Sequence, residues 1–330
     1  MPAPSSPAGK AASRPPGERR GCGLRLVVSL LVLLAVAGVL VYVLTNHHRP
    51  AAAGCTVKTD GADLELDQDQ AANAATIAAV ALSRDLPARA VTIALATSMQ
   101  ESQLHNLSSG DRDSLGLFQQ RPSQGWGSAQ DILDPVYASN SFFDSLVKIH
   151  GYEKLPLTVA AQEVQHSGYP EAYAKHETDA TQLAAALTGA DPAALSCTTG
   201  ADTPYSAGGR LGRADQVTAR LTREFGKRVA PRQESDPRTV AVPTAAGGGT
   251  AAAEEQRGWA VAQWAVAHAH TLKLEEVSFA GLRWQAAHSE RGWQKEPAAK
   301  GSAAGSTAKG AAKGASASAA ASPVLLTVAR

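Results

Sequence analysis

The apolar run "LVVSLLVLLAVAGVLVYVL" at 26–44 constrains this chain more than any other stretch. It carries no charge over about 19 residues, close to the roughly 20 that an α-helix needs to cross hydrocarbon. Arg19, Arg20 and Arg25 precede it. The positive-inside rule then places 1–25 in the cytoplasm and everything after the run outside, as a single-pass membrane protein. Residues 1–25 are rich in Pro, Ser, Ala and Gly and read as a disordered tail. A cleaved signal peptide is the alternative, although its apolar core is usually shorter, about 7–15 residues. "AAGC" at 52–55 offers a lipoprotein-type cleavage site as a further alternative, but it lacks the leading Leu and lies well beyond the run.

That topology gives the three cysteines their meaning. Cys22 stays on the cytoplasmic side, while Cys55 and Cys197 share an oxidising space and are expected to form a disulfide. The bond would close a loop of roughly 140 residues, worth about 4–5 kcal/mol in the chain-entropy model. It also proposes boundaries for a folded region. With 44% apolar residues the chain can build one to three cores, and its net charge of +1 provides no field for nucleic acid.

Between the two cysteines the signals are helical. Asp67 with Gln70 reads as a capping box ahead of Ala71, Ala74, Ile77, Val80 and Ala81 at helical spacing. Pro87 suits the first position of a helix through "PARAVTIALATSMQES", and Asp134–Pro135 starts another that stops near Gly151. Two more helices are expected over 158–166 and 170–187, with no competing strand pattern. The expected division is a linker at 45–66, a helical domain at 67–189, a second linker at 190–209 and an α+β accessory domain at 210–330. In the last, 215–225 reads as a helix, "RTVAVPT" as a strand, "EEQRGWAVAQWAVAHAHTLKL" as a longer helix and "EEVSFAGLRWQA" as a strand pair. Residues 297–322 are low-complexity Ala, Gly, Ser and Lys, and "VLLTVAR" reads as a closing strand, so the biased stretch is an insertion within the module.

One residue on the second helix carries a chemical suggestion. Ala90, Ile93, Ala94 and Thr97 share a face, and Glu101 falls one turn further along it. A carboxyl that extends a buried stripe is partly desolvated, which favours its protonated form. Glycoside cleavage needs such an acid for the departing oxygen. The alternative is a helix that simply ends in solvent.

"ES" at Glu101–Ser102, followed by "SLGLFQQ" at 114–120, resembles the lysozyme-like lytic transglycosylase superfamily, with Phe118 standing where that motif usually has Met. The resemblance covers roughly 67–189. It implies a mainly α, helical lysozyme-like domain in which Glu101 is the catalytic acid/base, Ser102 supports its geometry, Gly116 lets backbone approach the sugar and Gln119 lies in the cleft beside Gln120. The superfamily's third landmark, Ala-Tyr-Asn-Ala-Gly on a helix, has Gln165, His166, Ser167 and Gly168 in the corresponding place. Tyr169 is the nearest phenol that could replace the missing one. The implied reaction needs one carboxyl group: Glu101 protonates the glycosidic oxygen, then takes a proton from the sugar's own 6-hydroxyl as an anhydro ring closes. A hydrolytic route would need a second acid, for which Asp111 and Asp113 are candidates, although "SSGDRDS" is also ordinary turn chemistry.

"RPSQGWG" adds Arg121, Gln124 and Trp126 as sugar-contact candidates, with Trp126 as a core plug and Arg121 as a solvated side chain the alternative. His105, His150, His166 and His176 lack metal-ligand spacing, and no cofactor or metal is expected. In the last third, Trp259, Ala262, Val266 and Ala269 form one apolar row and Val261, Trp264 and Ala265 another, both read as core. This region is similar to a C-terminal module of actinobacterial wall-associated proteins, and 67–189 is similar to a domain of actinobacterial membrane-anchored ones. The expected partners are peptidoglycan glycan strands, the lipid bilayer through 26–44 and an envelope protein for the C-terminal module. Two functions are expected to compete: a membrane-anchored, extracytoplasmic peptidoglycan-cleaving enzyme, and a non-catalytic glycan-binding or envelope scaffolding protein.

Overall fold

The computed structural model describes residues 27–28, 31–38, 52–59, 61–166, 170–199, 211–245, 249–296 and 322–330. The chain divides into two units, Met1–Pro50 and Ala51–Arg330. In the first, 27–28 and 31–38 are helical and exposed. Among the described residues no helix is long and apolar enough to cross a membrane. The rest of 26–44, the tail at 1–25 and Cys22 lie outside the described residues.

The second unit is a mixed α+β fold with two antiparallel sheets among the described residues. The segments expected as linkers contain the first of them. Strands β1 (Gly54–Val57), β2 (Leu64–Leu66) and β3 (Leu195–Thr198) pair in the order β2-β1-β3, and Cys55 lies opposite Cys197. These strands are only three or four residues long, too short for alternation to rise above the helical background. The two cysteines form the expected disulfide, with Cα atoms 3.9 Å apart and 142 residues between them in sequence. Lys58 N–H donates to the Ala194 carbonyl. Positions 56 and 54 therefore continue the hydrogen-bonded pairs, and the cysteines occupy the intervening non-bonded pair, where strands come closest.

Helix α1 (Gln68–Ser83) begins at the predicted capping box: Asp67 accepts from Gln70 N–H, and the Gln70 side chain accepts from Asp67 N–H. Its seven buried alanines let neighbours approach, and it packs against α2 (Ala88–Ser102), α4 (Pro135–Leu146), α6 (Glu177–Leu187), α7 (Ala214–Phe225) and α8 (Ala251–Ala267). A helix that is apolar on all sides belongs in an interior. Short α3 (Ala129–Ile132), α5 (Leu157–Gln165) and α9 (Ala269–Leu272) are the other α-helices among the described residues of this unit. Pro87 is the N-cap of α2, one residue before the expected place, whereas Asp134 caps α4 with Pro135 inside the first turn. α4 ends at Leu146, ahead of the expected stop. The single helix expected over 170–187 is a 3-10 turn, Pro170–His176, followed by α6.

The last third follows its sequence pattern closely. The second sheet has the order β4-β5-β9-β6-β7-β8, with β4 Arg232–Gln233, β5 Thr239–Val242, β6 Leu274–Phe279, β7 Leu282–Gln285, β8 Gln294–Lys295 and β9 Val324–Val328. The closing strand β9 lies between β5 and β6, so the insertion at 297–322 does fall within the module. Ala280 and Gly281, both with positive φ, form the two-residue turn that the twist of β6 and β7 favours.

This module is not a separate body beside the helices. Both apolar rows of α8 are buried, and the helix packs against β6 and β9 as well as α1 and α6. Gln263 on α8 donates to the Ala186 and Asp191 carbonyls and accepts from Leu195 N–H. Gly189, at the end of α6, has φ +74, and a Cβ there would stand 1.9 Å from the Gln256 carbonyl oxygen. Only glycine permits that approach. A chain ended after Thr198 would lose α8 and with it the Gln263 partner of the Leu195 N–H and the Asp191 carbonyl; we expect it to lose cooperative unfolding and bind a hydrophobic dye, whereas 51–330 should show one sharp thermal transition.

A polar cluster is also buried where α1, α7 and α8 meet. Glu224 accepts from Trp264 Nε1 at 2.6 Å and from Arg220 Nε at 2.7 Å; His268 Nε2 lies 3.6 Å from Glu224 and 3.5 Å from Thr76 Oγ1. Burial opposes the Glu224 charge, but the His268 imidazole, Arg220 and the Trp264 N–H outweigh it and hold the carboxyl at about 2. Burial pushes His268 down more strongly than Glu224 lifts it. A lowered carboxyl contributes stability above its ordinary value of 4.5 that is lost as pH falls toward 2. Glu224→Ala should lower unfolding free energy by about 3 kcal/mol near neutrality, with a smaller deficit at pH 2; urea titrations at several pH values test this.

Candidate active site

The site is built on the C-terminal end of α2. The face of Ala90, Ile93, Ala94 and Thr97 is buried as its spacing requires, and Glu101, one turn on, is half-buried. The helix stops abruptly. Gln103 and Leu104 are left-handed, with φ of 54 and 63, although neither is glycine. Such backbone persists only where surrounding structure fixes it, and it clusters at functional sites. Here Gln103 N–H bonds to the Met99 carbonyl and Leu104 N–H to that of Ser98. From α1, Gln70 Nε2 donates to the Gln103 carbonyl at 2.9 Å and Asn73 Nδ2 to the Leu104 carbonyl at 2.8 Å. Those contacts satisfy groups that a helix end leaves open.

The carboxyl group itself has a partner. Tyr173, fully buried on the 3-10 turn, donates its hydroxyl to Glu101 Oε1 at 2.7 Å. One carboxyl oxygen is thereby fixed in orientation. Nothing in "PEAYAKH" pointed to Tyr173; the sequence drew attention to Tyr169, which lies outside the described residues with Ser167 and Gly168.

The segment 114–120 is a tight hairpin in which Leu115 and Gln120 exchange backbone hydrogen bonds at 2.9 and 3.0 Å. Ser102 Oγ donates to the Leu117 carbonyl at 2.7 Å, joined there by Ser98 Oγ at 3.1 Å, and Gln165 Nε2 donates to the Phe118 carbonyl at 2.7 Å. Two elements thus clamp the hairpin beside Glu101. Phe118 is buried and stacked on Phe142 with centroids 4.6 Å apart, so its ring fills the core.

The predicted contact residues fall into two groups. Ser102, Gln165 and Gln120 are committed to backbone carbonyls: Gln120, 2% exposed, donates to the Ala138 carbonyl at 3.2 Å. Gln119 folds back, accepting from Ser114 Oγ and donating to the Gly116 carbonyl. Gly116 has φ +74, and a Cβ would stand 2.6 Å from the Ile132 carbonyl oxygen, which accounts for glycine there through packing of its own chain. Arg121 pairs with Asp113 at 2.7 Å, and the Ser123 N–H also donates to Asp113. Those contacts, the Ser123 amide foremost, hold the Asp113 carboxyl well below the usual range. Asp113 therefore organises its loop. Asp111 and Gln124 are exposed, and Trp126 is half-buried against the core. Cys55 and Cys197 are buried in their disulfide.

Gly116→Ala should strain the hairpin and cost about 2–3 kcal/mol in urea unfolding, more than the same change at exposed Gly125, where no atom lies within 4 Å of an added Cβ. No protein-family model matches this sequence, and no curated protein matches it either.

Proposed function

We propose that residues 51–330 form an extracytoplasmic glycan-cleaving enzyme, anchored through 26–44, whose helical half has a lysozyme-like fold and acts on peptidoglycan strands. The hydrogen bond from Tyr173 to Glu101 carries this reading. A half-buried carboxyl, pinned by a phenol at a strained helix end and flanked by a clamped hairpin, has the form of a positioned acid/base. The disulfide supports the compartment.

Glu101 Oε1 accepts from Tyr173, so the transferable proton belongs on Oε2. Glu101 delivers it to the glycosidic oxygen as that bond breaks. The substrate's N-acetyl oxygen stabilises the developing cation at the anomeric carbon. The carboxylate then removes the proton of the sugar's 6-hydroxyl, whose oxygen bonds to the anomeric carbon and closes the anhydro ring. No water enters, and no second acid is required. That fits an Asp113 already occupied by Arg121 and Ser123.

A second reading rests on a specific observation: Gln165, the last residue of α5, and His166, which follows it, stand where the superfamily has Tyr-Asn, which favours a glycan-binding or envelope scaffolding protein without turnover. Incubating 51–330 with purified glycan strands separates the two. The enzyme should release anhydro-ended fragments. Glu101→Gln should lower the rate by about 10²–10⁴ with thermal stability retained, and Tyr173→Phe by about tenfold. Glycan binding without product, equal in wild type and Glu101→Gln, would establish the scaffold instead.

A further inference from the structure

The 3-10 turn Pro170–His176 touches the end of α2 at two places. Residues three apart eclipse one another on a 3-10 turn, so Tyr173 and His176 lie on one side of it. Tyr173 reaches Glu101, and His176 Nε2 lies 3.2 Å from Oε1 of Gln100, the preceding residue of α2. We propose that His176 is a positioning residue for the Glu101 carboxyl group, acting through Gln100; this rests on the reading of Glu101 as the acid/base.

The chemistry of the pair is that of a fixed donor. Gln100 Oε1 can only accept, which selects the Nε2–H form of the imidazole. Burial and then Lys175 push His176 down, more than Asp179 lifts it, so the ring is neutral near pH 7. A neutral donor orients Gln100 without adding a cation beside the carboxyl group. Gln100 and Glu101 are successive on α2 and therefore point about 100° apart. Two contacts at that angle resist rotation of the last helical turn, whereas the Tyr173 contact alone leaves a pivot. Arg89 Nη1, near the start of α2, donates to Glu177 at 2.8 Å and ties the other end of this helix to the residue following His176. The turn therefore has little freedom to slide along α2.

The test uses 51–330 with ¹³C-labelled glutamate, the Glu101 carboxyl resonance being identified by its loss in Glu101→Gln. Tyr173→Phe provides the reference displacement of that resonance. His176→Ala should displace it in the same direction, and His176→Gln, which retains a donor, should return it toward wild type. In glycan cleavage His176→Ala should lower kcat about tenfold with KM unchanged. Should His176→Ala fail to fold, Gln100→Met removes the acceptor and should give the same displacement. A Glu101 resonance at its wild-type position in His176→Ala or Gln100→Met overturns the proposal. Absence of cleavage by the wild-type chain would instead defeat the enzymatic reading, and the carboxyl resonance, which needs no substrate, would still decide the role of His176.

Discussion

Strand β3 has a flank that β1 cannot reach. Its positions 195, 197 and 199 turn their backbone groups away from β1, and unpaired groups on a strand edge are costly to bury. The last third of the chain supplies the missing partners. Leu195 N–H is met by Gln263, the Leu195 carbonyl by Trp293 Nε1 at 2.9 Å, the Cys197 carbonyl by Trp284 Nε1 at 3.0 Å, and Thr199 N–H by Ser289 Oγ. On the opposite flank the disulfide fixes β3 to β1. A four-residue strand is thus held from both sides, by a covalent bond and by side chains more than 60 residues away in sequence.

That arrangement reaches the candidate site through α6. Its C-terminal carbonyls are bound by Gln263 and Gln256 of α8, and its N-terminal end bears Glu177, the partner of Arg89 on α2. The 3-10 turn carrying Tyr173 runs directly into α6. The position of the phenol therefore depends on where α6 sits, and α6 is set by contacts from the C-terminal half. The C-terminal module is a structural condition for the geometry at Glu101.

The elements legible in the sequence were those whose cause is local. The capping box at Asp67, the Asp134–Pro135 start and the strand pair in "EEVSFAGLRWQA" each need only a few neighbouring residues, and all are present. Strands β1 and β3 have no such signature, because they pair with each other from about 140 residues apart and the outward groups of β3 are satisfied by indoles and an amide. Trp284, Trp293 and Gln263 look like ordinary core residues until β3 is placed beside them. The boundaries proposed at 45–66 and 190–209 followed from the same blindness, since strands of three or four residues read as linker.

At the site, α2, α5 and the 3-10 turn divide the work of holding Glu101 and the hairpin beside it. α5 ends at Gln165, with His166 left-handed at φ 49, and the Gln165 side chain is used to hold the Phe118 carbonyl. The phenol that binds the Glu101 carboxyl group comes from further along the chain. The 3-10 turn provides it. Its threefold repeat sets Tyr173 and His176 side by side, while α2 presents Glu101 and Gln100 as neighbours, so two contacts form from one short element. Position 165 clamps the hairpin with its amide, and the Glu101 side chain is oriented by Tyr173, beyond the end of α5.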